Sequence, residues 1–440
     1  MFGKNILILG FGREGISTFK HLQSTQISRG SVSIYDQHIL TELSDDAQII
    51  LENIPKTNLY LGKLLTDLDF RPYDLIIKSP GIPNKSIPTD LWPKITTPTQ
   101  LFFDACPAPI IGVTGTKGKS TTASLIHAMC KAAGKNSILL GNIGSPALDY
   151  LERITADMIV VFELSSHQLS RLTQSPHIAV LLGIYPEHLD YYQTMDEYVA
   201  TKAKITEFQN PTDYLIYDSQ NQLVQSIAHT SKAQLLAVTA TDLKIGGSWL
   251  ASAKLQGEMN AHNVATASKV ASLLGIAEIT IREAIQKFSP LSHRLENIGT
   301  YRGIIFYNDS LSTIPEATIA ALDTLGNKVS TLILGGFERN LSYTSLAEDL
   351  LKRKSVKNLI FFPTTGKTIW AELNKLNPDA IRRYQIAFVN NMRDAIVFTY
   401  AHTPVGEICL LSPGATSFAT FKDYRDRGDQ FKDQVQKLSA

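Results

Sequence analysis

The 440-residue sequence is poor in cysteine, in tryptophan and in long apolar runs. Its three cysteines, Cys106, Cys130 and Cys409, stand far apart without C-x-x-C spacing. That argues against a disulfide framework and a cysteine zinc site, and for a reducing compartment. No window reaches the roughly 18 uncharged apolar residues of a membrane helix. The apolar start, ILILGF, is too short for a signal segment. Charge of one sign is missing too: the formal net charge is +1, which offers no broad surface for nucleic acid or anionic lipid. What is there is a globular composition, 44% hydrophobic and 19% charged, long enough for about three domains. The reading is a soluble, cytoplasmic, monomeric protein with no nucleic-acid partner and no membrane insertion.

Short apolar runs alternate with helical patterns along the chain. NILILG, VSIYD, DLIIKSP, PIIGVTG, SILLG, MIVVFEL, AVLLGI, DYLIYD, GIIFYND, TLILGG, NLIFF and EICLLSP each end where Gly, Ser, Pro or Asp begins a loop. This is the β-α-β rhythm of largely parallel sheets covered on both faces, hence an α/β fold. The proline-rich PGIPNKSIPTDLWPKITTPTQ marks a boundary near residue 100, and FSPLSHRLE marks another near 292. The expected domains are 1–99, 100–292 and 293–440.

Two glycine loops stand about a hundred residues apart. Gly10, Gly12 and Gly15 form G-x-G-x-x-G after a strand and before a helix, and Asp36 ends the next strand. Gly10 turns tightly and Gly12 admits a diphosphate to backbone N–H groups at a helix N-terminus. Asp36 can accept from a hydroxyl or imide. Alone, the pattern fits a nicotinamide dinucleotide, another nucleotide-linked ligand or a structural turn. The second loop is Gly115-Thr116-Lys117-Gly118-Lys119-Ser120-Thr121, again between strand and helix. Lys119 can neutralise phosphate charge and the Ser120 hydroxyl can ligate Mg²⁺, so the loop reads as an ATP or GTP site. Strict Walker spacing fails because Val113 stands where the first glycine belongs. Glu163 ends an apolar strand, as a Mg²⁺ ligand or an incidental charge. His188 and Asp190 follow another strand, and Lys202 and Lys204 lie on a helix whose lysines ordinarily face solvent.

GTKGKSTT, ELSSHQL, PEHLDYY with YVATKAK, LQGEMNAHNVATA, HRLE, NDS and LSPGATSFATFKDYRDRGDQF occur in this order. Together they resemble the Mur ligase family of peptidoglycan synthesis over nearly the whole chain, most closely its glutamate-adding, MurD-type branch. The resemblance implies a Rossmann-like N-terminal domain, a central P-loop ATPase-like domain and a Rossmann-like C-terminal domain. Its substrates would be ATP, UDP-N-acetylmuramoyl-L-alanine and glutamate, with Mg²⁺. Gly12, Arg13, Glu14, Gly15, Asp36, Asn142, Ser165 and Gln168 would then hold the UDP-sugar, displacing the nicotinamide reading. ATP would be held by Gly115–Thr121, Asn260, Asn263, Arg294 and Asp309. Lys119, Glu163, His188 and Lys202 would be catalytic. Ser120, Glu163, His188 and Lys202 would hold metal, Lys202 as its carbamate, with Lys204 a bystander. Thr313, Arg339, Ser417, Phe418 and Phe421 would meet glutamate, D-glutamate on the branch pattern and L-glutamate as the alternative. Leu311 and Arg339 stand where the family pattern has lysines. A folylpolyglutamate-synthase-like ligase would share the ATP module but lack the first hundred residues.

Overall fold

Every apolar run named above forms a strand, and the strands assemble into three sheets. The structure is a computed structural model. It describes residues 4–25, 31–143, 145–187, 191–192, 194–239, 242, 255, 258–289, 292–338, 341–418 and 420–439. The first sheet comprises β1 (Ile6–Leu9), β2 (Val32–Asp36), β3 (Leu59–Leu61), β4 (Leu75–Lys78) and β5 (Ile95–Thr96). It is parallel throughout, in the order β3-β2-β1-β4-β5. Along β1 the side chains alternate between two apolar layers, Ile6 and Ile8 into one cluster and Leu7 and Leu9 into the other. This is why the strand is apolar at every position rather than at every second one. Strand order reverses between β1 and β4, which opens a crevice at their C-terminal ends.

The second sheet is also parallel: β6 (Ile110–Thr114), β7 (Ser137–Gly141), β8 (Ile159–Glu163), β9 (Ile178–Leu181), β10 (Tyr214–Asp218) and β11 (Gln234–Val238). Its order is β11-β10-β9-β6-β8-β7. One hydrophobic cluster runs from Ile8 and Phe19 through Phe102 and Phe162 to Leu215, so the first two sheets share a core. They belong to one compact unit, Met1–Ala253 with Met259–Phe288.

The other unit, Lys254–Glu258 with Ser289–Ala440, carries the third sheet. Its strands are β12 (Glu296–Tyr301), β13 (Ile304–Asn308), β14 (Val329–Gly335), β15 (Asn358–Phe362), β16 (Gln385–Phe388) and β17 (Ile408–Leu411). The order is β12-β13-β17-β14-β15-β16, parallel except for the β12–β13 hairpin. That hairpin turns on Arg302 and Gly303, both at positive φ (49° and 78°), the backbone that matches strand twist in a two-residue turn. Leu332 and Leu334 enter one apolar layer while Ile333 enters the other. Among the described residues no helix is long and apolar enough to cross a membrane.

Candidate active site

The loop after β6 has a backbone that side chains would obstruct. Gly115 and Gly118 lie at φ 151° and 84°. A Cβ on Gly115 would sit 2.6 Å from Leu182 Cβ, and one on Gly118 would sit 2.2 Å from Asn263 Oδ1. Only glycine fits such positions. Gly118 caps the helix Lys119–Ala132, whose first N–H groups are thereby presented at the loop. The loop is clamped from behind. Thr116 N donates to Gly183 O (2.9 Å), Tyr185 N donates to Thr116 Oγ1 (2.9 Å), and that hydroxyl also meets Tyr198 Oη (3.1 Å). Thr122 Oγ1 donates to Asn263 Oδ1 (3.3 Å), whose Nδ2 donates to Asn260 Oδ1 (3.3 Å). Asn263 thus ties the helix Glu258–Leu273 to the helix that follows the phosphate loop, and Asn260 braces Asn263.

Two lysines converge on one carbonyl. Lys119 Nζ donates to Gly115 O (3.0 Å) and Thr116 O (2.9 Å), and Lys202 Nζ donates to the same Gly115 O (2.9 Å). Lys202 is fully buried, with its amine 4.8 Å from the Tyr198 ring centroid. Burial, and then the neighbouring Lys119 charge, hold its pKa well below the usual lysine range. Lys204 instead pairs with Glu207 at 3.1 Å on the solvated side of the same helix. Lys117 pairs with Glu187 at 2.9 Å.

Glu163 ends β8 beside Val113 of β6 and is 1% exposed. Asn142 Nδ2 donates to its Oε1 (3.0 Å), while its Oε2 is buried without a hydrogen-bond partner. The Thr121 hydroxyl is orphaned in the same way. A buried carboxylate oxygen lacking a donor is costly, and a divalent cation would satisfy it. Among the described residues no group of three or more His, Cys, Asp or Glu is arranged to hold a metal ion. His188 and Asp190, like Arg339, lie outside the described residues.

At the first glycine loop, Gly10 has φ 85°. A Cβ on Gly15 would sit 2.1 Å from Gly10 O, whereas Gly12 has no atom within 4 Å of where its Cβ would lie. Gly15 serves helix–strand packing, and Gly12 faces open space. Asp36 accepts from Phe11 N (2.7 Å) and His38 N (3.0 Å), so its carboxylate fastens the loop itself. Glu14, beside Arg13 in the first helical turn, has its pKa raised to about 7, chiefly by burial, against the lowering pull of Arg13. Ser165 and Gln168 cap each other's backbone at the start of the helix Ser166–Leu169.

In the other unit, Arg294 stands between two non-glycine residues at positive φ, His293 (66°) and Leu295 (46°), a strained backbone that needs support. Asp309, fully buried, supplies it by accepting from Leu295 N (3.0 Å) and Ser412 Oγ (2.8 Å). Arg294 Nε is buried without a hydrogen-bond partner. Thr313 is partly buried and Ser417 is buried. Of the two phenylalanines, Phe418 is exposed, while Phe421 packs 5.2 Å from the Phe362 ring inside the core.

Sequence reasoning passed over Glu187, Tyr198 and Arg427. Glu187 was readable as the acid of PEH, directly before His188. Tyr198 has no local signal, because its role comes from meeting Thr116 across 82 residues. Arg427, within RGDQF, is fully buried and binds Ser310 O (2.8 Å) and Ala415 O (3.1 Å), which fastens the segment leading to Ser417.

Comparison with known proteins fits this geometry. Residues 113–279 match the Mur ligase middle domain. The UDP-N-acetylmuramoylalanine--D-glutamate ligase of Listeria innocua is 32% identical over 99% of this chain and 97% of its own length. That of Geobacillus kaustophilus is 31% identical over 99% and 98%. Among solved structures, the UDP-N-acetylmuramate-alanine ligase MurC of Thermotoga maritima superposes with a TM-score of 0.57 at 17% identity, covering 99% of this chain and 100% of that one. MurF of Acinetobacter baumannii gives 0.59 at 16%, covering 83% and 85%. The structures speak for the fold alone. The full-length sequence relatives carry the conclusion: this chain belongs to the Mur ligase family, the ATP-dependent ligases of peptidoglycan synthesis.

Proposed function

We propose that the protein joins glutamate, D-glutamate by preference, to UDP-N-acetylmuramoyl-L-alanine at the expense of ATP, as a cytoplasmic monomer. The observation that carries this reading is the convergence of Lys119 and the buried Lys202 on the Gly115 carbonyl, near a buried Glu163 with one unsatisfied oxygen. With Lys119 as the fixed cation and a divalent cation on Glu163, such a site suits two anions that must be brought together, the alanyl carboxylate and the γ-phosphate. The carboxylate attacks phosphorus, ADP leaves and an acyl phosphate results. The glutamate amine then adds to the acyl carbon, and phosphate leaves from the tetrahedral intermediate.

Lys119 balances charge on the transferring phosphoryl group. Lys202, whose amine burial holds well below the usual lysine range, is suited to add CO₂ in its unprotonated form: a nitrogen–carbon bond forms, one proton departs and the neutral amine becomes an anion. Ser120, Glu163, His188 and that carbamate would hold Mg²⁺, which supplies positive charge against the phosphates. The crevice between β1 and β4 takes the UDP diphosphate against the loop of Gly12 to Gly15. Asn260 and Asn263 serve the adenine side, and Arg294 and Asp309 serve the phosphate and ribose of ATP.

Glutamate is met by Thr313, Ser417, Phe418 and Arg339. Arg339 replaces a lysine with a planar fork suited to a carboxylate, while Leu311 removes a second cation. This altered clamp favours L-glutamate as the second reading. Phosphate release from ATP with UDP-N-acetylmuramoyl-L-alanine, measured with each glutamate enantiomer and with neither, tests the proposal. Release should require the UDP-sugar and rise with the D-enantiomer. Release only with the L-enantiomer would reverse the stereochemistry and keep the ligase.

A further inference from the structure

The loop that follows β4 is held by two donors, one from β4 itself and one from the segment after β9, that meet at one carbonyl. Lys78, the last residue of β4, is fully buried and donates through Nζ to Ile82 O (2.7 Å) and, more weakly, to Ser79 O (3.4 Å). Tyr191, from the segment after β9, donates through Oη to the same Ile82 O (3.1 Å) and lies 3.5 Å from Pro80 O. The tyrosine is itself braced. Its ring stands edge-on to His167 with centroids 4.3 Å apart, and 4.9 Å from Tyr192. His167 lies in the short helix that Ser165 and Gln168 cap.

Farther along the same connection, the Arg171 guanidinium lies 4.6 Å from the Trp92 ring centroid and donates to Trp92 O (3.2 Å). The connection is therefore fastened near both ends to segments that link the strands of the second sheet. On its other side Ser79 joins the first glycine loop: Ser79 N donates to Leu9 O (2.9 Å) and Ser79 Oγ to Gly10 O (2.8 Å). Gly81, at the tip, has no atom within 4 Å of where a Cβ would lie, and neither does Gly12 across the strand-order reversal. The two open glycines belong to the loops that follow adjacent strands, β1 and β4, where doubly wound folds bind nucleotides.

We infer that Lys78 and Tyr191 are positioning residues that hold the Ser79–Pro83 loop as the second wall of the UDP-sugar crevice. The inference rests on the assignment of that crevice to the UDP-sugar under the proposed function. Neither residue need touch the ligand. Each keeps the Ile82 carbonyl anchored, so that the Gly81 backbone faces Gly12 at a fixed separation. Because Tyr191 comes from the segment that follows β9 of the second sheet and Lys78 from β4 of the first, the wall forms only when the two sheets are docked.

Tyr191→Phe keeps the ring against His167 and Tyr192 and removes only the donor. Titration of the full chain with UDP, followed by calorimetry, should show Kd raised about threefold to tenfold, the effect of one lost hydrogen bond. The Kd for ATP should stay within twofold of wild type. Lys78→Met, which keeps the unbranched chain and removes the amine, should weaken UDP in the same selective way. Equal losses for UDP and ATP, or a Tyr191→Phe variant that binds UDP as wild type does, would overturn the inference. A wild-type chain that binds no UDP would instead overturn the crevice assignment, and the inference with it.

Discussion

The two glycine loops look alike in sequence and differ in what surrounds them. Around the first, the crowded glycine serves packing (Gly15 against Gly10 O), and the open one, Gly12, faces the crevice. Its carboxylate, Asp36, is spent on the loop's own N–H group, and Arg13 is the one cation within the motif. Around the second, both glycines at positive φ are crowded, against Leu182 and Asn263, and three lysines are each given a partner. A loop that holds a diphosphate unchanged through the reaction needs backbone donors and room. A loop that handles a phosphoryl group in transfer needs charged and polar groups held in place, because charge moves there.

That contrast can be broken most severely at Lys119. Lys119→Ala should lower phosphate release by about a thousandfold or more, the scale for removing a fixed charge from a phosphoryl-transfer site. Its melting temperature should stay near wild type. Turnover at the wild-type rate would remove the second loop from the chemistry.

Next in size is the buried lysine. Lys202→Ala should lose about a hundredfold in kcat and recover part of it with short carboxylic acids that stand in for a carbamate, while Lys204→Ala stays within about twofold. The opposite pattern would move the role to the solvated side of the helix.

The first loop should divide stability from binding. Gly15→Ala forces a methyl group against Gly10 O and should cost about 3 kcal/mol in a denaturant melt, at the upper end for overpacking. Gly12→Ala meets nothing and should leave the melt unchanged while weakening UDP about tenfold. Loss of stability in Gly12→Ala would show that the open side of the loop is not a ligand surface.

The smallest effect concerns pH. Glu14, with its pKa raised to about 7 chiefly by burial, is protonated in the folded state across a range where the unfolded chain has ionised it. The stability it contributes is complete below about pH 4.5 and is lost as pH rises through 7. The same ionisation places a negative charge beside the diphosphate loop. UDP affinity should therefore fall several-fold between pH 6 and pH 8, and Glu14→Gln should flatten that dependence.

How far the sequence reaches is clearest at the sheet rims. The strands it did not announce are β3, β5, β11, β12 and β16, and all of them are edge strands. Their residues are half exposed, as in QLLAV and QIAF, so no continuous apolar run marks them. Interior strands such as β1 are buried on both faces and are written in the sequence as unbroken apolar text. The same division holds at the site. Gly115 to Ser120, Glu163 and the ordered motifs are legible because their chemistry demands particular residue types at particular spacings.

Sequence alone thus determined the α/β class, the interior strands, the two glycine loops and the family whose motifs follow one another in order. Tertiary structure decided which of two nearby lysines is sealed against the phosphate loop, because helical phase sends Lys202 inward and leaves Lys204 partly exposed beside Glu207. It decided that Phe421 fills the core while Phe418 stays exposed. It also decided that Lys78 and Tyr191 share the Ile82 carbonyl. Those facts depend on contacts between residues separated by tens of positions in the chain. Such contacts are fixed by the joint packing of two sheets around one core, and local spacing carries no record of them.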